Sequence, residues 1–234
     1  MKNDSRCTIC NDKYGSLQHI LSACKKSLAD GRYRWRHDQV LKSIACWLEK
    51  EVLQNRDRNI SNTTSQRINF VKEGAIVKTT SESYKRKGLL NQSTDWQLMV
   101  DIGRQLRFPP DLCATKLRPD IVLRSNAIKL LIIIELTVPW EDRLEEAHEL
   151  KAAKYAELVE SVQSRGWQVR YFPVEVGARG FPALSVRRMF IELGLSSHVC
   201  KKAIRAVSSV AEDSSRWLWL KREQQWMAGG DKVA

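Results

Sequence analysis

Long hydrophobic runs are missing from this sequence. The longest, Leu130 to Ile134, resumes only at Leu136 after one acid, far short of the roughly 20 residues a membrane helix needs. The amino end, MKNDSRCTIC, has no apolar h-region, so neither an integral membrane protein nor a secreted one is expected, and the compartment is nuclear or cytoplasmic. Histidine is scarce: with four in the chain, a Ser-His or Cys-His catalytic set finds little support. No internal repeat is visible, which removes solenoids and propellers. What remains is globular. At 234 residues and 43% hydrophobic, the chain can bury one good-sized core or two small ones and is too apolar for wholesale disorder.

Charge is more informative. Thirty-nine Lys and Arg against 27 Asp and Glu leave a net +12. That surplus favours a polyanionic partner, usually nucleic acid (DNA or RNA) and sometimes an acidic membrane, over a basic protein with no such partner. The six cysteines do not read as a disulfide frame. Cys46, Cys113 and Cys200 are scattered, whereas Cys7, Cys10 and Cys24 crowd together with His19 in the pattern C-x2-C-x8-H-x4-C. In a reducing compartment such a cluster reads as a metal site. Three thiolates and one imidazole complete a tetrahedron for structural Zn²⁺, and a segment this short would draw most of its folding free energy from the ion. Lys13, Lys25, Lys26, Arg32, Arg34 and Arg36 surround the knuckle, with Tyr14, Tyr33 and Trp35 interleaved. The mixture suits phosphate contact and base stacking, and it equally suits a structural cap on the neighbouring domain.

Beyond the knuckle, residues 35–53 carry an amphipathic helix, with Val40, Leu41, Ile44, Trp47, Leu48 and Val52 on one face. Residues 54–68 are polar and turn-rich and read as a loop; 69–94 hold a candidate hairpin and the basic run Lys85-Arg86-Lys87. Strands are expected at 95–102, 119–124, 129–138 and 167–176, the third strongly apolar and central. A long helix falls at 141–164, and two more close the chain near 185–193 and 197–221. The fold class is therefore α/β: a mixed central sheet flanked by helices, in helix-strand-strand-strand-helix-strand order, preceded by a small zinc knuckle. Three regions follow: the knuckle at 1–30, a core at 31–195 with 54–94 as a loop or insertion, and a helical extension at 196–234.

The chemistry gathers on two strands. If they pair through a turn at Ser125-Asn126, Asp120 and Glu135 meet at one end of the sheet. With the peptide carbonyl of Leu136 they form a set of hard oxygen ligands suited to Mg²⁺. Glu135 follows LLIII in an apolar strand, where a bare carboxylate is costly unless paired or metal-bound. A lysine at position 137 would position and activate water, but threonine stands there. The long helix offers a substitute: Lys151 lies in the middle of the stripe formed by Leu144, Ala147, Tyr155, Leu158 and Val162, and Lys154 lies at its edge. A lysine centred on a buried face needs an anionic partner.

The RPDIVL strand, the IELTVPWE strand, the ELKAAKY helix and the upstream knuckle together resemble the PD-(D/E)XK nuclease superfamily. The likeness is to one branch, the restriction-like endonuclease region at the carboxyl end of site-specific non-LTR retrotransposon proteins, and covers roughly residues 5–195. In that branch the lysine is displaced onto the following helix in a K-x-x-K-Y setting, which maps onto Lys151 to Tyr155. The resemblance implies a Mg²⁺-dependent DNA endonuclease, with Mn²⁺ as a substitute, in which Asp120, Glu135 and Leu136 hold the catalytic metal. Lys151 and Lys154 would then act on water or on developing charge, leaving a 5′-phosphate and a 3′-hydroxyl. No reverse transcriptase accompanies the region, so an isolated domain, a truncated element copy and a host-adopted gene are all expected sources. The competing class is a catalytically inactive nuclease fold that grips nucleic acid.

Further residues carry weaker expectations. Lys25, Lys26, Arg32, Lys85, Arg86, Lys87 and Arg179 are candidate phosphate contacts. His37, Ile44 and Glu51 recur at heptad spacing, which places Glu51 as a metal ligand from behind the sheet or, more simply, as a salt-bridge partner, with Glu49 as the alternative acid. Asp101 joins the carboxylates or caps a turn. Trp217, Trp219 and Trp226 are expected to pack against the domain, with base stacking as the alternative.

Overall fold

The computed structural model describes residues 6–12, 14–64 and 88–226, and of 58–64 the backbone alone. After a helical turn at His19–Ala23 come α1 (Lys25–Ala29), α2 (Arg32–Thr64), β1 (Gln97–Val100), β2 (Ile121–Ser125), β3 (Leu130–Thr137), α3 (Leu144–Gln163), β4 (Gln168–Glu175), α4 (Leu184–Leu193) and α5 (Ser197–Leu220). The four strands form one mixed sheet in the order β1-β2-β3-β4, antiparallel except for the β3–β4 pair. The parallel pair requires a crossover, and α3 supplies it.

β3 is buried on both faces, which is why its sequence is continuous rather than alternating. Ile132, Ile134 and Leu136 face a core shared with Val40, Leu41, Ile44 and Leu48 of α2 and with α4 and α5. Leu131 and Ile133 face the opposite way, onto Tyr155, Leu158 and Val162 of α3. Asp95 fixes the β2–β3 turn by accepting from the Ser125 hydroxyl and from the backbone N–H groups of Asn126 and Ala127, each at 2.9 Å. Burial alone would raise its carboxyl, but these donors hold it near pKa 2.

Two expectations shift. The polar stretch read as a loop from residue 54 is helical to Thr64. Asn55 is buried there, and Arg56 donates to the carbonyls of Thr94 (3.0 Å) and Trp96 (2.7 Å), so tertiary contacts override weak local propensity. The strand expected at 95–102 is shorter, at Gln97–Val100: Asp101 still donates its N–H to Asp120 O at 2.8 Å, but its carboxylate caps Leu106 N–H at 2.8 Å and the chain turns into a short helical segment at Ile102–Arg104. Residues 69–87 of the expected hairpin, with Lys85, Arg86 and Lys87, lie outside the described residues. No helix among those described is long and apolar enough to cross a membrane.

Candidate metal centres and active site

At the amino end a short antiparallel bridge, Arg6 to Tyr14, folds the chain so that Cys7 and Cys10 meet His19 and Cys24. Their ligand atoms all lie within 4.8 Å of one another. Cys7 Sγ and Cys24 Sγ are 4.0 Å apart, and Cys10 Sγ is 3.3 Å from His19 Nε2. A disulfide is excluded at that separation. A tetrahedral ion with thiolates at about 2.3 Å sets sulfurs about 3.8 Å apart, so the residues fit such an ion. The Tyr33 hydroxyl accepts from Cys24 N–H (3.0 Å) and donates to Ile20 O (2.8 Å), fixing the knuckle to α2. Burial would raise the Cys24 thiol, but N–H groups at the start of α1, that of Ser27 foremost, lower it and favour the thiolate. The set can hold a metal ion and is compatible with zinc.

The sheet builds a second centre. Ile121 pairs with Ile134, so Asp120 and Glu135 stand side by side on the face that α3 covers. Both are buried, at 4% and 2% exposure. Asp120 Oδ2 accepts from Leu136 N–H at 2.8 Å, and Asp120 N–H donates to Glu135 Oε2 at 3.3 Å. Lys151 reaches across from α3 to place Nζ 2.5 Å from Glu135 Oε1, while Lys154 Nζ stands 3.7 Å from the same oxygen. Tyr171 donates to the Lys151 carbonyl (2.8 Å) and Tyr155 to the Arg118 carbonyl (3.0 Å), holding α3 over the carboxylates. Burial and then the charge of Glu135 push both phenols far up, so they stay neutral.

Sequence reasoning missed one member of this centre, His37. Its Nε2 lies 3.2 Å from Asp120 Oδ2 and 3.3 Å from Leu136 O, and its Nδ1 lies 3.2 Å from Asp38 Oδ1. Burial would lower its pKa, but the carboxylates of Asp120 and Asp38 outweigh that and lift it to about 9. Asp120 is lowered in turn: burial raises it, while the imidazole and Leu136 N–H more than compensate. Separations of 3.2–3.3 Å match adjacent ligands on an ion with bonds near 2.1 Å, whose octahedral edge is about 3.0 Å. His37 Nε2 thus stands between Asp120 Oδ2 and Leu136 O, two of the oxygens expected to hold a cation. The available signal was a histidine on the helix facing the sheet, beside an acid.

Other expected residues fall elsewhere. Glu51 is buried on α2 but fourteen residues past His37, about 21 Å along the helix, so it is no ligand of this centre; Glu49 is exposed. Asp101 caps its turn and pairs with Arg34, which also stands 3.9 Å from Asp120 Oδ1. Arg32 is 3% exposed and spends its guanidinium on the carbonyls of Lys221 (3.0 Å) and Gln224 (2.9 Å); this correction removes it from any phosphate surface. Arg36 is buried in the same way. Lys25 and Lys26 remain at the surface, paired with Asp12 and Asp30. Arg179 holds Glu141 at 3.0 Å while lying over Trp140. Trp226 stacks edge-on against Trp35, and Trp219 packs on the knuckle. The inward Arg32, Tyr33 and Arg36 favour the knuckle as a cap docked on the domain. Comparison with protein-family models and with curated proteins gives no match for the chain.

Proposed function

We propose that the chain is a metal-dependent DNA endonuclease of the PD-(D/E)XK type, carrying a structural zinc knuckle of the kind found in retrotransposon proteins. One observation carries the reading: two buried carboxylates, Asp120 and Glu135, share one sheet face and one end, with Lys151 from the crossover helix on Glu135. Buried acids without such a purpose are costly.

Asp120, Glu135, Leu136 O and His37 would hold the divalent ion, which supplies an activated water and neutralises phosphate charge. His37 adds a nitrogen donor, which tilts the preference from Mg²⁺ toward Mn²⁺. Asp38 orients the ring through Nδ1, leaving Nε2 toward the ligands. Lys151 and Lys154 set two ammonium groups against one carboxylate, where they can orient water and stabilise charge as it develops on the phosphate. The net +12 favours association with a polyanion.

The test is nicking of supercoiled plasmid in Mg²⁺, Mn²⁺ or chelator, with Asp120→Ala alongside. Metal-dependent nicking that falls at least a thousandfold in Asp120→Ala, with DNA binding retained, is the expected outcome. Folded, zinc-loaded protein that cuts neither plasmid nor branched DNA would overturn the reading in favour of a non-catalytic DNA binder.

A further inference from the structure

The described cations that the sequence picks out as phosphate contacts are engaged within the protein: Arg32 on carbonyls, Lys25, Lys26 and Arg179 on carboxylates. A different set borders the carboxylate centre. Between β1 and β2 the chain makes a long excursion whose two ends meet where Asp101 N–H donates to Asp120 O at 2.8 Å. It carries Arg104, Arg107, Lys116 and Arg118, all exposed and none in an ion pair among the described residues. The one acid of residues 102–119, Asp111, is taken by Arg124 at 2.6 Å. The base of the loop is fixed. Leu106 N–H donates to Asp101 Oδ1 (2.8 Å), Arg118 donates to the Arg104 carbonyl (2.8 Å), and the Arg118 carbonyl accepts from Tyr155 of α3 (3.0 Å). Gly103 and Arg104 hold left-handed backbone there, at φ +68° and +59°, a conformation that an arginine adopts at a cost. Leu106 and Phe108 pack with Tyr155 and Leu158, which turns Arg107 between them outward. Arg118 is two residues from Asp120, at most about 7 Å along the chain, so the paired Arg104 and Arg118 stand beside the carboxylates.

The other flank of the centre has the opposite sign. α3 turns Glu145, Glu149, Glu157 and Glu160 to solvent, none of them in an ion pair among the described residues. A duplex carries one negative charge per about 1.7 Å of its axis, so it is repelled from the outer face of α3 and attracted to the loop. α5 packs on the opposite face of the sheet, which sets its exposed Lys201, Lys202 and Arg205 away from the carboxylates. We propose that the β1–β2 loop is the docking surface for the phosphate backbone of duplex DNA. Arg104, Arg107 and Lys116 contact phosphates beside the scissile one, and the duplex runs along this loop and clear of α3. Resting on the endonuclease reading, this assigns the flank of the active site that the DNA occupies. The contacts position the duplex and carry no sequence information.

Binding without added Mg²⁺ or Mn²⁺ tests the surface apart from cleavage. Fluorescence anisotropy of the full zinc-loaded chain on a short DNA duplex is followed from about 50 to about 200 mM salt. Combining Arg104→Gln, Arg107→Gln and Lys116→Gln should lower the slope of log affinity against log salt by about 2.7, at about 0.9 per lost contact. Affinity at about 100 mM salt should fall on the order of a hundredfold. Arg107→Gln with Lys116→Gln, which leaves the left-handed turn untouched, should lower the slope by about 1.8. Lys201→Gln, Lys202→Gln and Arg205→Gln together remove the same charge from α5 and should lower it by less than about 0.5. Loop variants with the wild-type slope, or equal losses from the loop and from α5, overturn the proposal. The two readings fail differently. DNA held through the loop but nicked in no metal sinks the nuclease alone; nicking with a salt slope that the loop variants leave unchanged sinks the surface alone. No DNA binding at all sinks both.

Discussion

Replacing His37 by Asn should flatten the pH dependence of stability on its alkaline side. In the zinc-loaded protein without added Mg²⁺ or Mn²⁺, the imidazole is held between Asp120, Asp38 and Leu136 O, and its pKa is lifted from the ordinary 6.5 to about 9. Because the native state binds the proton more tightly than the unfolded chain, this contribution is fully present below pH 6.5. It declines as pH rises and is lost above about 9. At about 1.4 kcal/mol per pH unit the lift is worth about 3 kcal/mol. Arg34, which faces the same carboxylates, works against it and is already counted in that balance. Urea unfolding followed by tryptophan fluorescence at half-unit steps from pH 6 to 9.5 measures the effect. The stability gap between wild type and His37→Asn should shrink by about 3 kcal/mol across that range. A gap that is constant with pH would show that His37 is neutral in the native state and that its contacts are only steric.

Three further outcomes follow from the same geometry. Chelating the knuckle's ion should expose residues 6–30 to limited proteolysis while leaving the main unfolding transition in place, because the sheet core contains no residue from that segment. In single-turnover cleavage, Lys151→Met should cost on the order of a hundredfold and Lys154→Met less than tenfold, following their 2.5 and 3.7 Å separations from Glu135; the reverse ranking would exchange their roles. Gly88→Ala should destabilise by about 3 kcal/mol in the same urea assay, since a Cβ there would sit 2.0 Å from the Cα of Gly194, the left-handed residue that ends α4 at φ +109°.

The parts of the fold that could be read in the sequence are those governed by short-range pattern. β3 announced itself by apolar residues on both faces, and α3 by the spacing of Tyr155, Leu158 and Val162, which in turn singled out Lys151 as a charge on a buried stripe. The knuckle was legible because its ligands are close in sequence. What escaped was set by contacts distant in the chain. The last turns of α2 are polar and hold because Arg56 finds carbonyls about forty residues on. Arg32 and Arg36 look like a basic surface in sequence, yet they satisfy carbonyls at the ends of α5, β3 and the knuckle, groups that must be paired wherever they are buried. His37 escaped because its partners lie 83 and 99 residues away.

Arg36 and His37 sit in one turn of α2, and that turn joins the two centres. Arg36 ties Leu21 O in the knuckle to Val138 O just past β3. The adjacent His37 reaches Asp120 and Leu136 O on the same pair of strands, and Tyr33, one turn earlier, braces Cys24. A displacement of the knuckle therefore moves the start of α2, and with it the imidazole beside the carboxylates. On the endonuclease reading, the knuckle would matter for cleavage without touching nucleic acid, because an ion bound there would hold the segment that positions His37. Loss of that ion should loosen the His37–Asp120 contact, so the His37 imidazole, followed by NMR titration, should fall from about 9 toward 6.5 when the knuckle is emptied. An imidazole that titrates identically with and without the ion would show that the docked arginine holds α2 by itself.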